Sequence, residues 1–93
     1  NMDVTVYTKP NCPQCVQTKR LLDRDNVAYQ EAPIGDEERQ KFLEHGFMSA
    51  PVVVVDQPVV AGAGVKEFGE DGVAWAGLNP DAIAQLVKAH QEA

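Results

Sequence analysis

Ninety-three residues, 44 % of them hydrophobic, suffice for one small domain around a single core. The formal net charge of −6 argues against nucleic acid, whose phosphates require a basic face, and no apolar run approaches the roughly 18 residues of a membrane span. The opening residues have no charged-then-apolar leader pattern, so a cytoplasmic location is expected, and Asn1, ahead of the expected natural start at Met2, is set aside.

In chain order, DVTVY (3–7) alternates polar and apolar residues, is rich in β-branched side chains and predicts a strand. It runs into TKPNCPQC (8–15), which holds both cysteines of the chain, Cys12 and Cys15. Pro13 suits the first position of a helix, where its missing N–H is no loss, so Cys12 falls at the N-cap and the helix continues through Leu21 and Leu22. NVAYQEA (26–32) predicts a second strand. The next helix has Asp36 as expected N-cap, Glu37 and Glu38 against the positive end of its dipole, and Gly46 as its stop. A left-handed Gly46 would bring Phe47 against Phe42, as in a Schellman cap, and leave His45 a capping role.

APVVVV (50–55) is an unbroken β-branched run, the pattern of a strand buried on both faces. The glycine-rich stretch 56–72 has no period and is expected to be an insertion, a surface excursion without direct chemical role. VAW (73–75) resumes a strand. In NPDAIAQLVKAH (79–90), Asn79 is the expected cap, Pro80 opens the helix, and Ile83, Leu86, Val87 and His90 form one stripe. The order β-α-β-α-β-β-α predicts an α/β fold, with a four-stranded mixed sheet flanked by three helices, over residues 2–93 as a single domain.

Three chemistries fit a C-x-x-C pair. A zinc site needs two more ligands, and only His45 and His90 remain, far apart and each accounted for by helix position. A structural disulfide closing so short a loop stabilises by only about 2 kcal/mol and tends to be reduced in the cytosol. A redox pair fits best: at a helix N-terminus Cys12 faces unpaired N–H groups and the positive end of the dipole, which favour thiolate, and Lys9 adds a positive charge. Of eight basic residues, four (Lys9, Lys19, Arg20 and Arg24) lie within the sixteen positions that contain both thiols. Cys15, one turn further in, is expected to be the less exposed, which makes Cys12 the attacking and Cys15 the resolving thiol. Lowering a thiol pKa from ~8.5 to ~7 raises the thiolate fraction at pH 7 roughly fifteenfold. Lower basicity takes back about four- to sixfold of that, so leaving-group ability and the nearby second thiol matter as much as acidity.

The strand–TKPNCPQC–helix arrangement, with SAP (49–51) about 35 residues on and ahead of a strand, resembles the glutaredoxin branch of the thioredoxin fold. The resemblance implies a cis peptide at Ala50–Pro51, facing the disulfide and leaving the Ala50 backbone to pair with a partner's extended segment. Within that branch, VTVYTKPNCPQC, APVVVV and WAGLNPDAIAQL (75–86) resemble the NrdH-redoxins, which take electrons from thioredoxin reductase and pass them to class Ib ribonucleotide reductase. Trp75, Gly77 and Pro80 match their W-S-G-F-R-P segment, while Ala76, Leu78 and Asn79 depart from it. The Gly-Gly-x-Asp signature by which glutaredoxins hold glutathione is absent.

The function so implied is that of a dithiol–disulfide electron carrier. Cys12 and Cys15 would be its catalytic residues, and Thr8, Lys9, Pro13, Gln14, Ala50, Pro51, Trp75, Ala76, Gly77 and Leu78 its partner surface. The chain would act as a monomer without bound cofactor or metal, NADPH and FAD belonging to the recycling reductase. A glutathione-dependent glutaredoxin and a metal or iron–sulfur module are the alternatives.

Overall fold

The computed structural model describes residues 2–92. Its elements are β1 (Val4–Thr8), α1 (Pro13–Arg24), β2 (Gln30–Pro33), α2 (Asp36–Glu44), β3 (Val52–Val55), β4 (Lys66–Phe68), β5 (Gly72–Ala76) and α3 (Pro80–Glu92). The strands form one sheet in the order β2-β1-β3-β5-β4, with β1 and β2 parallel and the other pairs antiparallel.

Because side chains alternate across a strand, the register divides the apolar residues between two faces. Val6 lies opposite Val53, and Val53 opposite Trp75. Together with Val4, Val55 and Val73 they meet Leu22 of α1 and Ile83 and Leu86 of α3 in the larger core. The intervening positions Tyr7, Val52, Val54, Ala74 and Ala76 face the other way and pack with Phe42 of α2, Phe47 and Phe68.

The helix ends obey local chemistry. α2 closes as expected: Gly46 has φ 83°, Phe47 donates its N–H to the Phe42 carbonyl at 2.9 Å and Gly46 to that of Leu43 at 3.0 Å. His45 Nδ1 lies 2.8 Å from the Lys41 carbonyl oxygen. Asn79 Oδ1 caps α3 by accepting the Ala82 N–H at 3.1 Å.

The start of α2 departs from expectation. Gly35 is the N-cap and Asp36 the first helical residue, because the Glu38 carboxylate reaches back to the Gly35 N–H at 3.0 Å. The second strand is also shorter than 26–32. Asn26 adopts φ 58° and lets Val27 donate back to the Leu22 carbonyl at 3.0 Å, so residues 26 and 27 close α1 before a strand begins.

The sheet has five strands rather than four, and the additional one, β4, comes from the glycine-rich stretch. Its three residues carry one large apolar side chain, Phe68, too few for a period to register. Gly72 admits the tight pairing: a Cβ there would lie 2.5 Å from the Val55 carbonyl oxygen and 2.7 Å from that of Phe68. The first half of the stretch is not a surface excursion either. Val60 is buried in the larger core, and the Gln85 carboxamide clasps Ala61, accepting its N–H at 3.0 Å and donating to its carbonyl at 2.7 Å. Asn79 Nδ2 donates to the Ala63 carbonyl at 3.1 Å. No helix among the described residues is long and apolar enough to cross a membrane.

Candidate functional site

The turn between β1 and α1 presents both sulfurs at one edge of the sheet. Asn11 takes a left-handed φ of 56°, a conformation asparagine tolerates better than most residues, and turns the chain into the helix. Cys12 is then the N-cap and Pro13 the first helical residue. Cys12 Sγ accepts the Cys15 N–H at 3.1 Å, so the sulfur sits against an amide of the first turn that has no carbonyl partner within the helix. The two residues form a disulfide with their Cα atoms 5.2 Å apart.

Helical spacing makes the pair unequal. Cys15, Thr18 and Leu22 recur on the face of α1 that meets the core, and Cys15 is only 2 % exposed. Cys12, at the helix tip, remains partly accessible.

A shallow groove of about 490 Å³ runs along the disulfide, lined by Thr8, Lys9, Asn11, Cys12, Pro13, Cys15, Val16, Lys19 and Glu31. Lys19 Nζ and Glu31 Oε2 form an ion pair at 3.0 Å across it, and Thr8 Oγ1 lies 3.5 Å from the same carboxylate oxygen. Lys9 also borders a second groove, of about 390 Å³, formed by Ile34, Arg39, Phe42, Leu43, Phe47, Met48, Ser49, Ala50 and Val52. Its wall is unusually apolar for a surface: Met48 is 86 % exposed and Leu43 46 %.

Three chain segments meet beside the disulfide. Ala50–Pro51 is a cis peptide. The Pro51 carbonyl accepts the Gly77 N–H at 2.7 Å, and Gln14 Oε1 accepts the Leu78 N–H at 3.1 Å. Gly77 has φ 76°, and a Cβ there would lie 3.1 Å from Ser49 Oγ and 3.3 Å from Gln14 Oε1, so glycine is what lets the β5–α3 turn close on the turn that holds the cysteines. Ala50 lies in the bend before β3, and no backbone hydrogen bond to its N–H or carbonyl occurs among the turns and loops of the described residues.

Of the residues expected at this surface, Thr8, Lys9, Pro13, Gln14, Ala50, Pro51, Gly77 and Leu78 are thus brought together. Ala76 ends β5 with its side chain towards the α2 face. Trp75 is a correction: it is fully buried in the larger core, because its place in β5 is in phase with Val73 and points it beneath α1 and α3. Asn11, Val16 and Glu31 of the first groove were not singled out from the sequence, nor were Arg39, Leu43 and Met48 of the second. Lys19 was noted among the basic residues clustered with the thiols, and its place four residues after Cys15 puts it on the same side of the helix.

Comparison with known proteins agrees with this geometry. The glutaredoxin family model matches residues 4–60, more than half of the chain. This chain belongs to the glutaredoxin family. It is 32 % identical over 85 residues to the glutaredoxin-like protein NrdH of Lactococcus lactis, an alignment covering 89 % of this chain and 97 % of that one. It is 38 % identical over 64 residues to glutaredoxin 1 of Rickettsia conorii, but there the match spans only 63 % of either chain. Among solved structures, NrdH-redoxin from Escherichia coli superposes with a TM-score of 0.67 at 27 % identity, over 90 % of this chain and 93 % of that one. The fold is the thioredoxin-like fold of this family, with three helices and a mixed sheet. As a glutaredoxin-like protein of the NrdH type, the chain is a thiol–disulfide oxidoreductase that carries electrons.

Proposed function

We propose that Cys12 and Cys15 are the reacting thiols, that thioredoxin reductase reduces their disulfide, and that the electrons pass to class Ib ribonucleotide reductase. The observation that carries the assignment of roles is the inequality of the pair: Cys12 accessible at a helix N-terminus, Cys15 2 % exposed behind it. In the reduced protein the Cys12 thiolate attacks one sulfur of a client disulfide, forming a mixed disulfide and releasing one client thiolate. Cys15, deprotonated, then attacks Cys12 Sγ. This restores the Cys12–Cys15 disulfide and releases the second client sulfur as thiolate, which takes up a proton. Two electrons have moved to the client, and a flavin- and NADPH-dependent reductase returns them without any cofactor residing on this chain.

Several features support a protein rather than a small-molecule partner. Among the described residues no backbone hydrogen bond involves Ala50, which leaves an edge on which an extended segment can add main-chain hydrogen bonds. Met48 and Leu43 offer apolar contact next to it. The relative matched over nearly its whole length is an NrdH protein.

A second reading, reduction by glutathione, rests on Lys9 and Arg39, two cations lining the groove beside Ala50 and suited to the carboxylates of a tripeptide. One experiment separates the two: NADPH consumption by the oxidised protein with thioredoxin reductase, against consumption with glutathione and glutathione reductase. Turnover with thioredoxin reductase alone is expected, and turnover through glutathione alone would replace the proposal by the second reading. A Cys15→Ser variant is expected to accumulate a mixed disulfide, readable by mass spectrometry. Cys12 is then the only thiol left in the chain, so any such adduct is carried by it. A variant that traps no client would refute the assigned roles.

A further inference from the structure

Thr18 follows Cys15 by one turn on the buried face of α1. Its side chain is 0 % exposed, and Oγ1 has no hydrogen-bond partner among the described residues. A threonine within a helix ordinarily donates to a carbonyl one turn back, and leaving a buried hydroxyl unpaired is unfavourable. Valine has nearly the same shape and would avoid that penalty, so the hydroxyl calls for a reason.

One candidate partner lies on its N-terminal side. Side chains in a helix lean towards the N-terminus, and residues three apart have Cβ atoms about 5–6 Å from each other. That direction leads from Thr18 to Cys15, itself 2 % exposed. In the disulfide, Cys15 Sγ is held towards Cys12 and is only a weak acceptor. Two electrons and two protons open that bond. Cys15 Sγ is then free to turn about its χ1, and as thiol or thiolate it needs a donor in a site solvent hardly reaches.

We infer that Thr18 is a positioning residue for the resolving thiol: its hydroxyl is unpartnered in the disulfide form and donates to Cys15 Sγ in the dithiol form. The hydroxyl therefore weighs against the oxidised protein and for the reduced one, which shifts the equilibrium towards the form able to donate electrons. No proton leaves Thr18. The inference rests on Cys12 and Cys15 being the redox couple, but not on the identity of either partner.

The test equilibrates wild type, Thr18→Val and Thr18→Ser with mixtures of reduced and oxidised dithiothreitol, and follows thermal unfolding of both redox forms of each. Thr18→Val is expected to shift the equilibrium roughly tenfold towards the disulfide, a midpoint about 30 mV more negative for a two-electron couple. Its oxidised form should melt higher than wild type and its reduced form lower. Thr18→Ser keeps the hydroxyl and should retain the wild-type midpoint even if loss of the methyl group lowers both melting temperatures. Equal changes in both redox forms of Thr18→Val, with an unmoved midpoint, would overturn the inference. Should that variant not fold, the wild-type protein decides by NMR: the Thr18 hydroxyl proton is expected to be protected from exchange in the dithiol form only, and equal protection in both forms would also overturn it. If the wild-type pair does not titrate reversibly at all, the redox reading falls together with the inference.

Discussion

The two faces of the sheet are built from different materials. Beneath α1 and α3 lies a continuous aliphatic layer of Val4, Val6, Val53, Val55, Leu22, Ile83 and Leu86 around Trp75. Beneath α2 the layer is smaller and richer in aromatic rings: the ring centroid of Phe42 lies 5.2 Å from that of Tyr7 and 5.7 Å from that of Phe68, and His45 sits 4.8 Å from Phe68. The first face has two helices to close it. The second has one short helix, and it leaves Leu43 and Met48 in the open beside Ala50. Concentrating burial on one face leaves the other free to expose apolar surface beside Ala50, at a cost the larger core offsets.

The sharpest way to break this comparison is to empty one site on each face. Leu86→Ala removes a fully buried side chain from the larger core and is expected to cost about 3 kcal/mol of unfolding free energy. Phe68→Ala removes a half-buried ring from the second face, where its neighbours are other rings, and should cost about 1–2 kcal/mol. Urea denaturation of the two variants measures both. A larger loss for Phe68→Ala would reverse the ranking of the faces and make the additional strand a principal support of the fold.

The smallest effect concerns Tyr29, which packs against the rim of the larger core. Its phenol is pushed up to about 12, first by burial and then by the hydrogen bond and charge of Asp23, with Glu31 adding to it. A folded pKa above the ordinary value of 10 means that the contribution to stability is complete below pH 10 and is lost as pH rises towards 12. Phenolate absorbance in a Tyr7→Phe background should show this late titration. Tyr29→Phe should lose less stability than wild type between pH 10 and 12, and a parallel loss in the two proteins would exclude Tyr29 as a source of it.

Much of this arrangement was legible before any coordinates. The caps at Cys12, Gly46 and Asn79 are local chemistry, in which one side chain or one left-handed residue satisfies nearby backbone groups, so a few consecutive residues suffice to read them. The inequality of Cys12 and Cys15 follows from the three-residue step between a helix tip and its buried side. Asp36 was misplaced as a cap because glycine at 35 offers no side chain to read, and the carboxylate that secures that end lies three residues away, at Glu38. Strand β4 was missed because three residues with one apolar side chain carry no period, and they are a strand only because β5 presents an unpaired edge.

Trp75 marks the boundary most clearly. Its position beside Gly77 and Leu78 in the chain drew it onto the partner surface, yet it is fully buried while the backbone two residues on is tied to Pro51 and Gln14. The amino-acid sequence by itself determined the placing of Cys12 and Cys15 at a helix start, the helix that holds them and the class of fold, because each depends on neighbours within a turn or on the alternation of apolar residues. Tertiary structure alone decided which face Trp75 enters, the joining of residues 14, 51 and 77–78 at the cysteine turn, and the burial that leaves the Thr18 hydroxyl without a partner among the described residues. Those depend on sheet register and helix docking between segments up to 64 residues apart, and no local propensity encodes which pairs will meet.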